Sequence, residues 1–138
     1  MKNVVVDTGP IVAFLNVRDA HHRWVREALE GVEPPMRTCE AVVSEACFLV
    51  RALRGGPAAV LELVDRGIVE VPFRLGDELD AVRRLMARYA NVPMAFADAC
   101  LVRMSELDAR ATILTLDEDF RVYRRNGRQP IPVVMPAR

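Results

Sequence analysis

Two short apolar runs, each closed by an aspartate, constrain this chain more than any other feature. The first is Val4-Val5-Val6 before Asp7, and the second is Ala111-Thr112-Ile113-Leu114-Thr115-Leu116 before Asp117. A strand with one wet face alternates polar and apolar residues, whereas a run lacking that alternation is the mark of a strand buried on both faces. Such strands belong to parallel sheets covered by helices. Further short strands are expected at residues 36–39, 68–72 and 130–134.

The intervening segments carry helical spacing. A turn or two is expected over 11–16, after Gly9-Pro10 breaks the first strand. Asp19 serves as an N-cap for a helix over 21–30, with Trp24, Val25, Ala28 and Leu29 on its inner stripe. Helices follow over 40–54, ended by Gly55-Gly56-Pro57, and over 58–66, capped by Gly67. Others are expected over about 77–89, 95–107 and 118–125, with a turn at Asn126-Gly127. Strands alternating with helices predict a three-layer α/β/α sandwich around a mainly parallel sheet, as one domain over residues 1–138. In such sheets the functional crevice lies beyond the carboxyl ends of the strands, so Asp7 and Asp117 should point into it.

Two more acids stand out within apolar helices. Glu45 shares a helix face with Ala41, Val42, Phe48 and Leu49; Asp98 shares one with Met94, Ala95, Leu101 and Val102. Both are therefore expected on an inward-packing stripe. A buried carboxylate costs several kcal/mol to desolvate without a counter-charge, so four such acids point to a shared divalent metal. Each has a plainer reading. Asp7 also suits the start of a turn, Asp117 a helix cap, and Glu45 and Asp98 a buried ion pair with arginine. Asp119 suits a solvated first helical turn. Thr8, Ser44 and Thr115 are candidates to orient water or phosphate.

Other chemistries lack their residues. There is no GxGxxG, no Walker loop and no nucleophile elbow, and His21-His22 has no acid or cysteine at ligand spacing, which suits a surface or capping role. Cys39, Cys47 and Cys100 form no CxxC pair and lie in apolar surroundings, as small core residues in a reducing compartment do. No apolar stretch approaches a membrane span and no leader pattern is seen, so a cytoplasmic protein is expected. With 19 basic and 19 acidic residues the formal charge is zero, which argues against a strongly basic, non-specific nucleic-acid binder. Trp24, Tyr89 and Tyr123 are too scattered to make a base-stacking strand. Arg121, Arg124, Arg125 and Arg128 are expected on solvated surface, with contact to an RNA backbone as the alternative.

At these residues the chain resembles the PIN-domain proteins of the type seen in VapC toxins of toxin–antitoxin pairs. The matching segments are Val5-Val6-Asp7-Thr8-Gly9-Pro10-Ile11-Val12-Ala13-Phe14, Ser44-Glu45, Ala97-Asp98-Ala99 and Thr115-Leu116-Asp117-Glu118-Asp119-Phe120. Their order and spacing agree over nearly the whole length. The resemblance implies a metal-dependent endoribonuclease, a homodimer in most members, with an antitoxin protein as partner. It implies that Asp7, Glu45 and Asp98 gather around Mg²⁺ or Mn²⁺ and that Asp117 completes the site, with Asp119 able to share that role. Thr115 and Thr8 would be auxiliary. Oxygen-only ligands independently favour a hard cation over zinc.

Two rival readings remain at this point. One is a non-catalytic PIN module that binds RNA or a partner protein. The other is a receiver-like phosphoacceptor domain, which normally carries a lysine after a late strand; here Lys2 is the only lysine.

Overall fold

The computed structural model describes residues 1–137. Its core is a five-stranded sheet built from β1 (Val4–Val6), β2 (Met36–Arg37), β3 (Val69–Glu70), β4 (Thr112–Leu114) and β7 (Val133–Val134). The strands run in the order β3-β2-β1-β4-β7, and every pairing is parallel. Val4, Val5, Val6, Ile113 and Leu114 are at most 1% exposed, as a strand covered on both faces requires.

Six helices connect these strands: α1 (Thr8–Leu15), α2 (His22–Glu30), α3 (Glu40–Leu49), α4 (Gly56–Asp65), α5 (Leu75–Arg88) and α6 (Phe96–Leu107). The chain winds outward from β1 through β2 to β3, then crosses back to place β4 on the other side of β1. Right-handed crossovers in opposite directions put α1–α4 on one face and α5–α6 on the other. The predicted three-layer α/β/α sandwich is what forms. The reversal of winding falls between β1 and β4, the place where open α/β sheets leave a crevice.

Several boundaries differ from the sequence reading, each for a local reason. Helix α1 begins at Thr8, so Gly9-Pro10 does not break the chain but forms the first turn of the helix. Proline is tolerated there because its missing N–H has no intrahelical acceptor to lose. Asp19 accepts the His21 amide one turn ahead of α2 rather than capping it directly. Helix α3 stops at Leu49, short of residue 54, because fully buried Val50 turns the chain inward. Gly55 (φ +68°) and Gly56 then start α4 instead of ending α3, and Pro57 sits in its first turn.

The 118–125 segment is not one helix. A short 3-10 turn (Glu118–Arg121) leads into β5 (Arg124–Arg125), which pairs antiparallel with β6 (Gln129–Pro130). Asn126 (φ +51°) and Gly127 (φ +83°), both with positive φ, lie in the three-residue turn between Arg125 and Gln129. The expected 130–134 strand is thereby divided between β6 and β7. No helix among the described residues is long and apolar enough to cross a membrane.

Of the four C-terminal arginines expected on solvated surface, Arg121 and Arg128 are exposed, whereas half-buried Arg125 ties the hairpin to α6 and half-buried Arg124 folds back on the preceding turn. Arg125 donates to the carbonyls of Ser105 and Ala109 on the α6 side, Arg88 of α5 to that of Gly127, and Arg124 to those of Arg121, Val122 and Tyr123.

Candidate functional site

The register of β1 on β4 decides which side chains meet at the crevice. Val6 pairs with Leu114, so Asp7 and Thr115 leave the sheet side by side. The Asp7 amide donates to the Leu114 carbonyl at 3.0 Å, and the Thr115 hydroxyl donates to Asp7 Oδ2 at 2.7 Å. Asp7 Oδ1 accepts the Thr8 amide at 2.7 Å, so the carboxylate caps α1 while facing the crevice. The turn reading of Asp7 and its place in the crevice are thus compatible in one arrangement. Asp117 behaves likewise: its carboxylate accepts the Asp119 amide at 2.9 Å, and its own amide donates to Thr115 Oγ1 at 3.0 Å.

Around these groups opens a cleft of about 500 Å³ whose walls include Asp7, Thr8, Glu45, Asp98, Asp117 and Glu118. Asp119 does not line it and is only half-buried, its amide spent on Asp117. His21 and His22 lie elsewhere; His22 Nδ1 stands 2.7 Å from the Ala13 carbonyl and ties α2 to α1. Cys39 and Cys100 are buried and Cys47 is half-buried.

Glu45 corrects the sequence reading. Its helix packs through Val42, Ala46 and Val50, each wholly buried, which leaves Glu45, Phe48 (60% exposed) and Leu49 (49% exposed) facing outward. The apolar surface of α3 wraps past the core stripe, so apolar neighbours did not mean burial. Glu45 stands as a solvated acid on the cleft wall. Among the described residues no lysine or arginine forms an ion pair with Asp7, Glu45, Asp98 or Asp117, so the arginine-bridge reading does not hold.

Electrostatics mark the cleft as short of positive charge. Burial raises the Asp7 carboxyl above the usual range, opposed by the hydrogen bonds from Thr115 and Thr8 and reinforced by the charges of Asp117 and Glu45. Burial pushes Asp98 up to about 6, opposed by Tyr123 and reinforced by Asp7 and Asp117. The Thr8 hydroxyl, 4% exposed as a residue, has no hydrogen-bond partner among the described residues. Among the described residues no three carboxylates already converge at metal-ligand spacing. The donor set nonetheless fits a hard divalent cation: oxygen ligands only, raised carboxyl pKa values with no basic neighbour, and a spare buried hydroxyl in the same wall.

The raised Asp98 value has a consequence for stability. A carboxyl held above its ordinary pKa by folding stabilises the fold fully below about pH 4, and that contribution disappears as pH rises through about 6. In chelator, Asp98→Asn is therefore expected to be more stable than wild type at pH 7.5, by on the order of 1 kcal/mol after screening of this half-open group, with less than half of that advantage left at pH 4.5. Urea unfolding at both pH values checks this. An advantage of equal size at both would show that the charge is not its source.

One partner of a candidate acid escaped the sequence reading. Tyr123, wholly buried, donates its hydroxyl to Asp98 Oδ2 at 2.9 Å. Its ring is held edge-to-face against Tyr89 and Phe120, with centroids 5.2 and 5.3 Å away. Burial raises the Tyr123 hydroxyl well above its usual pKa, as do the charge and hydrogen bond of Asp98, so it acts only as a donor. Nothing in the sequence spacing joins a tyrosine to an acid 25 residues away. Tyr123→Phe keeps the ring packing and frees Asp98, so the cleft is expected to bind Mn²⁺ about tenfold more weakly. A titration of melting temperature against Mn²⁺ for the two proteins reads this directly, and an unchanged midpoint would deny Tyr123 its orienting part.

Comparison with known proteins was made with this geometry in hand. The sequence profile described as PIN domain matches residues 4–126. The chain is 27% identical over 116 residues to Ribonuclease VapC26 of Mycobacterium tuberculosis (strain ATCC 25618 / H37Rv), covering 83% of this chain and 86% of that protein. The crystal structure of Mycobacterium tuberculosis VapC20, titled a Sarcin-Ricin loop cleaving toxin, superposes with a TM-score of 0.74 at 22% identity, over 86% of this chain and 93% of that one.

Proposed function

Because the chain belongs to the PIN-domain family, we propose that it is a divalent-metal-dependent endoribonuclease of the VapC toxin type. The observation that carries this reading is the set of Asp7, Glu45, Asp98 and Asp117 around one cleft at the switch between β1 and β4, without a basic residue to neutralise them. The ribonuclease name of the 27%-identical relative supports RNA as the substrate. A receiver-like domain is set aside by the family, and Lys2 is spent at the surface opposite Glu33.

In this reading Asp7, Glu45, Asp98 and Asp117 would hold Mg²⁺ or Mn²⁺, which would supply Lewis-acid activation of water and charge neutralisation at the phosphate. The protein's own work is to fix the ligands. Thr115 and the Thr8 amide hold the two oxygens of Asp7, and Tyr123 holds one oxygen of Asp98, leaving the remaining lone pairs for the cation. Solvent-facing Glu45 completes the set from the opposite wall and is the acid freest to reorient. Asp117, which lines the cleft, takes the fourth position in preference to Asp119, which does not line it and whose amide is capped by the Asp117 carboxylate.

A protein partner fits the surface as well. Phe48 and Leu49 on α3 and Leu61 on α4 (56% exposed) leave apolar area that an antitoxin or a second copy in a homodimer would cover. A cytoplasmic location accords with this role.

The test is cleavage of a mixed pool of structured and single-stranded RNAs with Mg²⁺, with Mn²⁺ and with chelator. Cutting in either metal that chelator abolishes is the expected result. Folded protein that binds Mn²⁺ yet cuts nothing in the pool would favour the non-catalytic PIN module.

A further inference from the structure

A second cleft opens on the same edge of the sheet as the acids. Cys39 follows β2 and Phe73 follows β3, as Asp7 follows β1. Because these strands are parallel, all three residues leave the sheet at its carboxyl edge. Glu40, Phe73, Arg74 and Phe96 wall a space of about 440 Å³ there, with buried Cys39 and Cys100 also in its lining. Sites for small ligands run from about 300 to 1,000 Å³.

The two clefts share their supports. On α3, Ala41 lines this cleft and Glu45, one turn later, lines the acid cleft. At the start of α6, Ala95 and Asp98 line the acid cleft, whereas Phe96 and Cys100 line this one. Helices α3 and α6 pack against each other. One helical turn is about 5.4 Å and two strand spacings are about 10 Å. A nucleic-acid strand with one phosphate at the acids can therefore lay a neighbouring base here.

The wall suits a base. Phe96, the first residue of α6, is 41% exposed, and Phe73 is half-buried. Neither ring pairs with another aromatic side chain among the described residues. A stacked base would cover apolar surface that water now meets. The Arg74 side chain is 82% exposed, and its contact, with equally solvated Asp77 at 3.5 Å, is too weak to hold it. Its guanidinium can turn to a phosphate oxygen, while exposed Glu40 offers acceptors to the N–H edge of a base.

We propose that this cleft is a base subsite for RNA, in which a nucleobase beside the scissile phosphate stacks on Phe96 and Phe73 and Arg74 holds the adjoining phosphate. The inference rests on the ribonuclease reading and adds the path of the strand, from the acids past the starts of α3 and α6 toward the end of β3. A base paired within a helix keeps its faces stacked on its neighbours, so the substrate class is RNA unpaired at the cut, as a single strand or a loop.

The test is fluorescence anisotropy in the Asp7→Asn protein, which should not cut, with millimolar Mg²⁺ and two labelled probes. One is a single-stranded RNA of mixed sequence, and the other an abasic ribose-phosphate oligomer of equal length. Adding Phe96→Ala is expected to weaken RNA binding by about tenfold and to leave binding of the abasic oligomer unchanged. Phe96→Trp should restore RNA binding. Arg74→Ala should weaken both probes and lower the slope of log affinity against log salt by about 0.7. The Mn²⁺ midpoint of melting should be the same with and without Phe96→Ala, which shows the acid cleft intact. Equal RNA affinity for Phe96→Ala and its parent would overturn the subsite and leave the nuclease reading standing, as would an equal loss on both probes. Conversion of a dimer to monomer by Phe96→Ala, with RNA binding unchanged, would give the ring to a subunit contact instead. A parent that binds neither probe would bring down the subsite and the RNA reading together.

Discussion

Asp7→Asn is expected to lower RNA cleavage by about a thousandfold while leaving the fold at least as stable as wild type. The loss follows from position. Asp7 is the most buried of the four acids, and its carboxylate is fixed at both oxygens, by the Thr8 amide and the Thr115 hydroxyl. A ligand preorganised in this way contributes charge to the transition state without moving, and deletion of one such group typically costs about two to three powers of ten. Stability should not suffer, because an asparagine carbonyl still accepts the Thr8 amide and its NH₂ can donate to Thr115 Oγ1. The buried negative charge that folding disfavours is also removed. Initial rates on a cleaved RNA, beside urea midpoints in chelator, separate the two effects. A variant that loses activity and unfolds would assign Asp7 a structural role; one that cuts normally would remove it from the site.

The second large effect concerns architecture alone. Gly56→Ala should destabilise the protein by about 3 kcal/mol or more, enough to leave much of it unfolded in a marginal domain. A Cβ at this position would stand 2.1 Å from the Val50 carbonyl oxygen and 3.1 Å from the Val50 Cβ. Both neighbours belong to a fully buried residue at the α3–α4 junction, so neither can yield as a flexible side chain would. Gly76→Ala is the control: it lies in the first turn of α5 with nothing within 4 Å of the added carbon, and should be neutral or slightly stabilising. Chemical denaturation of the three proteins tests the pair. Equal stability for Gly56→Ala would mean that α4 can slide away from Val50, and that the junction does not hold α3 in place.

The expected results differ in origin. Gly55-Gly56-Pro57 reads in sequence as a helix stop, since glycine and proline punctuate helices. In the fold Gly56 is needed because a buried carbonyl passes against it, a requirement that no local pattern encodes. Asp7 and Asp117, by contrast, were placed correctly from sequence: an apolar run marks a strand, the strand's end marks the crevice, and both aspartates end such runs. Glu45 was identified through an argument that failed, because its apolar neighbours face solvent rather than the core. Periodicity tells which side of a helix is apolar, and leaves open whether another element covers it.

Local residue chemistry determined the strands, most of the helices and the acids beyond the strand ends, because desolvation acts residue by residue and leaves its mark in the pattern. The tertiary structure alone decided what each acid meets. Thr115 reaches Asp7 across 108 residues because β4 pairs with β1, and Tyr123 reaches Asp98 because its ring packs between Tyr89 and Phe120. Hydrogen bonds such as these depend on strand register and helix packing, which are set by the whole chain at once.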